Sequence, residues 1–404
     1  MRRAVGITLL TTVLLTITIP SSTGGCASPE PENVFMELLS LLPAEAREVP
    51  IITIVNYKKI YDDNAISLYD GEGNRISIED FIEIFGEKSA NRQLAGEDAL
   101  PFSYAFYTGV NRYILDSPIT KENVGFDILD SEAEIYFHRK NKSDTFENSN
   151  SLEYLVAAKG NFNAQATEEA LKNREEWPIW ARDLYTTEVY HDVIIHSWGD
   201  GNEWHSESSL EAPHINVWGQ ARPLAVYDGH LFVASSVDDI KQMIDACKNT
   251  RDCLADISDY ALAAKAIHDM DVYNMILINP VLIDPEKPNR DVFYTGFGLG
   301  DSVLVASGQG VDEKGKYVAA AYVQEDEASA VSSMSSLEVY LEHVYTPYNR
   351  ETGELFEWKL SDHILEKEIR AEGKFLAAKF YLDDEGFYFW WNRMHPDSIY
   401  IGQK

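Results

Sequence analysis

Apolar positions along the chain follow two spacings, and the switches between them mark the elements. The segment 34–43, VFMELLSLLP, has helical spacing and predicts a helix that stops at Pro43. A β-branched run at 49–56, VPIITIVN, has the character of a buried strand. The stretch 66–81 reads as a hairpin turning at Asp70-Gly71-Glu72-Gly73 and leading into a helix through Phe85. The segments 133–140 (AEIYFHRK) and 151–160 (SLEYLVAAKG) predict paired strands across a polar loop at 141–150.

From there the order of elements occurs twice. YLVAAKGNF at 154–162 leads into a helical AQATEEALKN, and YVAAAYVQ at 317–324 leads into ASAVSSMSSLEVYLEH. A strand follows in each, VYHDVIIH at 189–196 and DHILEKEIRAE at 362–372. Each copy then closes in a hairpin, RPLAVYDGHLFVAS at 222–235 and FLAAKFYLDDEGFYFWW at 375–391, with Asp-Gly and Asp-Asp-Glu-Gly as the turns. The preceding strands also correspond, 133–140 against DSVLVASG at 301–308. Between the copies, Ser236 and Asp239 form the cap and third position of a helix that places Ile240, Met243, Ile244 and Cys247 on one face. A second helix at 258–270 then precedes a strand, VYNMILIN, at 272–279.

The expected class is therefore α+β, with mainly antiparallel sheets and covering helices, and two similar lobes from an internal duplication at 131–234 and 301–391. The boundaries expected are an N-terminal α/β segment at 34–130, a first α+β unit at 131–235, a helical connector at 236–300 and a second α+β unit at 301–404.

The first residues carry a different pattern. Arg2 and Arg3 precede an uncharged apolar run at 4–19, as in the charged and apolar regions of a secretory signal. At 16 residues that run is shorter than the roughly 20 needed to cross a bilayer as a helix. Gly24, Gly25 and Cys26 follow, and this end resembles the lipobox of prokaryotic lipoproteins, where a peptidase cuts before a cysteine that then carries lipid. Thr23 stands where that family usually has Leu, so ordinary secretory cleavage near this point is the alternative. The resemblance covers residues 1–26 and implies a signal peptide at 1–25, lipidation of Cys26 and export to the outer face of the cytoplasmic membrane or the cell envelope. ASPEPE then reads as an extended tether within 26–33, because each proline disfavours helix at the residue before it.

Charge narrows the partners. Loss of residues 1–25 removes Arg2 and Arg3 and takes the formal charge from −32 to −34. Nucleic acid and anionic lipid both need clustered Lys and Arg, so neither is expected to bind the folded surface. With 45% hydrophobic and 12% aromatic residues, the chain has ample material for a core and is no disordered acidic polymer.

The chemistry-bearing residues gather in one region. His191, His196, His205 and His214 are four of ten histidines, within reach of carboxylates such as Asp200 and Glu203. Zinc or another divalent metal is the cofactor such a set would hold. As one strand, VYHDVIIH places His191 and His196 on opposite faces, which argues for no cofactor. Trp177, Trp180, Trp198, Trp204 and Trp218 are five of eight tryptophans. With Asp200 and Glu203 they form a candidate surface for a saccharide or peptide, and core packing under a long loop is the alternative. Cys247 and Cys253, in CKNTRDC, are expected as a disulfide once the chain is exported. The terminal GFYFWW reads as a strand apolar on both faces, covered by the core or by a partner.

Familiar signatures are absent. GFGLGDS runs into a strand where a dinucleotide fold needs a helix, and the loop at Asp70 has Arg75 and Phe81 where a calcium loop needs Gly and Glu. No nucleophile elbow, phosphate loop or His-Glu-x-x-His helix occurs. The expected role is a membrane-anchored, non-enzymatic module that binds a ligand or a cell-surface protein. The alternative is a secreted glycan or peptide hydrolase using the His/Trp-rich 191–214 region.

Overall fold

Runs of Val, Ile, Tyr and Ala become the strands of one antiparallel sheet, because such residues pack on a pleated surface covered on both sides. The computed structural model describes residues 33–49, 51–77, 80–81, 124–126, 128–140, 152–172, 183–199, 222–282, 302–342, 344–345 and 357–387, all of them in one compact unit, Asn33–Lys404.

Helix α1 (Val34–Ser40) is capped by Asn33, whose side chain accepts from the Met36 amide at 3.1 Å. Strand β1 (Ile51–Asn56) follows, then α2 (Tyr57–Asp63), β2 (Ser131–Lys140), β3 (Leu152–Gly160) and α3 (Ala164–Lys172). Next come β4 (Tyr185–Tyr190), β5 (Val193–Trp198), β6 (Leu224–Tyr227), β7 (His230–Ala234), α4 (Val237–Cys247), α5 (Ser258–His268) and β8 (Asn274–Ile278). The last part holds β9 (Leu304–Asp312), β10 (Gly315–Val323), α6 (Glu327–Leu341), the short pair β11 (Val344–Tyr345) and β12 (Trp358–Lys359), and β13 (Ile364–Glu372) with β14 (Phe375–Leu382).

Among the described residues the main sheet has 12 strands, in the order β13-β14-β10-β9-β8-β1-β2-β3-β7-β6-β5-β4. Its two halves meet at the antiparallel pair β1–β8, with Thr53 opposite Ile276. Outward from that pair the order repeats: β1-β2-β3-β7-β6 on one side, β8-β9-β10-β14-β13 on the other. In each half a hairpin (β2–β3, β9–β10) leads into a helix (α3, α6), and a second hairpin (β6–β7, β13–β14) returns to pair with the first. The α+β class with antiparallel pairing is as expected. Instead of two lobes, the halves continue one sheet and meet as if related by a two-fold axis through β1–β8.

Two boundaries of the expected repeat change. It begins one strand earlier in each half, at β1 and β8. The closing hairpin of the second half is β13–β14, which reverses at Gly373 (φ +55°), and the Asp-Asp-Glu-Gly run is no strand turn. Asp383 instead starts a helical turn, its Oδ1 accepting from the Gly386 amide at 2.7 Å and its carbonyl from Phe387 at 2.9 Å. Phe387 therefore packs as a helical residue, not a strand residue, and 388–391 lie outside the described residues.

The faces of the sheet are covered differently. One carries a continuous core in which Phe35, Leu38 and Leu39 of α1, Ile240, Met243 and Ile244 of α4, and Ala263, Ala264 and Ile267 of α5 meet the strands. The other carries two separate cores, one including Leu171 of α3 and one including Leu337 and Leu341 of α6. Each crossover helix thus roofs its own half, while α1, α4 and α5 bind the halves together. No helix among the described residues is long and apolar enough to cross a membrane.

Candidate functional site

The β4–β5 segment decides how the histidines relate. VYHDVIIH is not one strand. His191 and Asp192 have φ of +49° and +64°, and Tyr190 pairs with Val193, so the two form the centre of a tight left-handed hairpin turn. His191 stands at that turn, 49% exposed, its Nε2 3.4 Å from Asp245 of α4. Tyr190 donates to both oxygens of the same carboxylate at 3.0 Å, which pushes its hydroxyl pKa up. His196 lies on the opposite face, 3% exposed. Its Nδ1 is 2.7 Å from the Tyr185 hydroxyl, and the Tyr185 ring packs 5.4 Å from Trp198.

The expected separation of His191 and His196 stands, although a turn rather than strand parity produces it. The two cannot share an ion, since one joins α4 and the other an aromatic cluster in the α3-side core. Trp198 is 1% exposed and fills that core, so its ring is packing rather than surface. Trp177, Trp180, Trp204, Trp218, Asp200, Glu203, His205, His214 and Cys26 lie outside the described residues. Among the described residues no group of three or more His, Cys, Asp or Glu side chains is placed to hold a metal.

The pairing expected for Cys247 and Cys253 is absent, and both are free thiols. Cys253 is fixed by a bridge to Pro43 and by backbone bonds on either side, Ala44 to Asp252 at 3.0 Å and Leu254 to Leu42 at 3.0 Å. Its Sγ donates to Asp256 Oδ2 at 3.1 Å. Cys247 ends α4 against the α1–α4–α5 core. Burial pushes both thiols up, so neither offers the thiolate that nucleophilic chemistry requires.

No family model matches this chain, and no curated protein matches it. Among solved structures, crystal form I of TP0453 is similar over 89% of this chain and 97% of that one, at 8% identity and a TM-score of 0.34.

Two polar clusters that periodicity does not show are brought together by the sheet. In the first, Asp312 at the end of β9 accepts from Lys379 Nζ at 2.7 Å and from the Tyr381 hydroxyl at 2.9 Å. Lys379 also lies 3.6 Å above the Tyr317 ring centre. In the second, Glu37 of α1 meets Lys159 Nζ at 2.7 Å and His230 Nε2 at 3.9 Å. A third contact, His363 Nδ1 with both oxygens of Asp383 at 3.1 Å, joins the end of β14 to the turn before β13. In the first two, cation and carboxylate neutralise each other. Lys379 is held above its ordinary pKa, because bonds to Asp312 and Tyr381 outweigh burial, and a lysine kept charged is no nucleophile. These clusters fasten strand to strand and helix to sheet.

They also set an acid limb. The His230 imidazole beside it and the bond from Lys159 Nζ outweigh burial and hold Glu37 below the ordinary carboxylate value. At Asp312 burial acts upward but is outweighed by the bonds from Lys379 and Tyr381. The stability each contributes is complete above its unfolded pKa, near 4, and is lost as pH falls through the lower folded value. The midpoint of urea unfolding is expected to fall as the pH drops below about 4, and Asp312→Asn should flatten part of that fall. An unchanged acid limb in Asp312→Asn would mean that the carboxylate gains nothing from Lys379.

Proposed function

We propose that this chain is exported, cut before Cys26 and held by lipid on that cysteine, and that its folded unit serves outside the cytoplasmic membrane as a non-enzymatic binding or assembly module. One juxtaposition carries the reading: Arg2-Arg3, an apolar run and Gly24-Gly25-Cys26 precede a fold whose first capping residue is Asn33. The segment from Cys26 to Asn33 reaches about 25 Å at full extension, so an anchor on Cys26 keeps the fold at the membrane surface. With a formal charge of −34 after cleavage, that fold has no electrostatic attraction to anionic lipid, and a covalent anchor supplies what its surface does not. A single acyl chain holds a protein only marginally, so the multiply acylated cysteine of lipoproteins is the form that suits stable attachment.

The test is the Cys26→Ala chain expressed in a prokaryotic host beside the parent. The parent should partition with membranes, incorporate labelled fatty acid and begin at Cys26. The variant should incorporate none and leave the membrane fraction. A parent that is soluble and unlabelled, with an N-terminus elsewhere, would overturn the anchor and favour simple secretion.

A further inference from the structure

Among the described residues the two ends of the sheet are guarded unequally. Edge strand β13, ILEKEIRAE, carries Glu366, Lys367, Glu368, Arg370 and Glu372, the charged pattern that discourages pairing with another chain. Edge strand β4, YTTEVY, carries one charge, Glu188, neutralised by Lys241 of α4 at 2.7 Å. Thr186 through Val189 are exposed, Val189 at 69%. An exposed strand of Thr, Val and Tyr without a free charge offers its outer main chain to a partner strand.

We infer that β4 pairs with β4 of a second copy of this chain, antiparallel, so that the sheet continues across a two-fold axis. This goes beyond the anchor and makes specific the assembly role proposed above. The direction of the main chain follows from the hairpin. Tyr190 and Val193 flank a two-residue turn and form a hydrogen-bonded pair, so Tyr190, Glu188 and Thr186 bond inward to β5. Thr187, with Tyr185 and Val189, therefore turns its N–H and C=O outward.

The register follows from symmetry and charge. In a continuous antiparallel sheet, paired residues lie on one face, so two copies of the same strand must pair residues of like parity. Centring on Glu188 sets Glu188 against its own copy, and like charges directly opposite are destabilising. Centring on Thr187 sets Thr187 against Thr187, Tyr185 against Val189 and Thr186 against Glu188. That register pairs an aromatic with a β-branched residue twice, keeps each Glu188 beside its own Lys241, and forms about six main-chain hydrogen bonds through the outward groups. β13 has no such register, because centring it on any residue from Glu366 to Arg370 sets two glutamates opposite each other.

The outward N–H of Thr187 makes the test selective. Proline is tolerated on an edge strand where its missing N–H faces solvent, so Thr187→Pro spares the monomer. In the dimer it removes one hydrogen bond from each copy at the centre, which should weaken association by about tenfold or more. The full chain, in detergent, should double in mass along a concentration series by light scattering, and in Thr187→Pro that doubling should need about tenfold or higher concentration, with an unchanged melting temperature. Thr187→Lys, which sets a cation directly against its own copy, should do the same if the proline variant folds poorly.

Cross-linking checks the register. Thr187→Cys brings two thiols to a Cα separation of about 5.5 Å, within disulfide range. It should give covalent dimers under mild oxidation, above the background of the parent's own cysteines, while Leu365→Cys on β13 should not. A parent that stays monomeric at every concentration overturns the inference and leaves β4 for a strand of another protein. So does a dimer indifferent to Thr187→Pro, or one cross-linked through Leu365→Cys alone. The Cys26→Ala chain keeps β4 and should still dimerise, so failure of the anchor and failure of the edge are separable.

Discussion

Trp198→Ala is expected to cost about 3–5 kcal/mol of stability, because it deletes the largest side chain of the α3-side core. The ring is 1% exposed among Val156, Leu224, Val226, Leu231 and Val233. Tyr185 leans on it at 5.4 Å and carries a hydrogen bond to His196, so the cavity would also loosen a polar contact that orients the β4–β5 hairpin on this face. A loss of that size is a large share of a domain's total of roughly 5–15 kcal/mol. Urea unfolding followed by circular dichroism measures it without relying on the fluorophore removed. His191→Ala, at the exposed left-handed turn of the same hairpin and 3.4 Å from Asp245, should cost about 1 kcal/mol or less. The contrast separates two uses of tryptophan. If Trp198→Ala unfolds at the parent's midpoint, the ring is not core and belongs again with candidate ligand surfaces.

The same hairpin shows where the sequence could be read and where it could not. Helix α4 was legible because its signals are local: Ser236 Oγ accepts from the Asp239 amide at 3.1 Å, and Ile240, Met243 and Ile244 are buried at the helical spacing that predicts it. Strands β1, β2, β3, β8 and β10 were legible for a similar reason, since each carries a run of apolar residues packed on both faces. His191-Asp192 was missed because β-branched residues run up to it from both sides with no Gly, Asn or Pro to announce a turn. β13–β14 was misjudged for the opposite reason. Asp383-Asp384-Glu385-Gly386 has the composition of a hairpin turn, yet the carboxylate of Asp383 uses its capping strength on a helical turn. The joining of the halves at β1 and β8 rests on residues more than 200 positions apart, Ile54 opposite Met275 among them, and no periodicity encodes such a pairing. The clusters around Asp312 and Glu37 share that origin. Of the His/Trp-rich candidate site, spacing foretold that His191 and His196 would not meet, and the burial of Trp198 was visible only once β5 had its neighbours.

Tyr317→Ala should cost a comparable amount, about 3–5 kcal/mol, and it tests how the second half is fastened. Tyr317 is fully buried on β10, opposite Gly310 of β9. Its ring lies across that glycine, and its hydroxyl donates to the Met270 and Asp271 carbonyls at 2.8 Å each, just past the end of α5. Burial holds the hydroxyl protonated far above its ordinary range, so it stays a donor at any pH at which the protein folds. Lys379 packs on the other side of the ring. Tyr317→Phe keeps the ring and loses only the donor, so it should cost about 0.5–1.5 kcal/mol and leave Lys379 seated. The glycine makes the argument reciprocal. A Cβ at 310 would sit 2.2 Å from the Tyr317 hydroxyl oxygen and 2.3 Å from Cζ, so Gly310→Ala must displace the ring, at about 1–3 kcal/mol. In a Tyr317→Ala background that clash is gone, and the same substitution should be close to neutral. Residues in contact are those for which costs fail to add. If Gly310→Ala costs as much without the ring as with it, Tyr317 is not what fills the space above Gly310, and the fastening of α5 to the sheet must lie elsewhere.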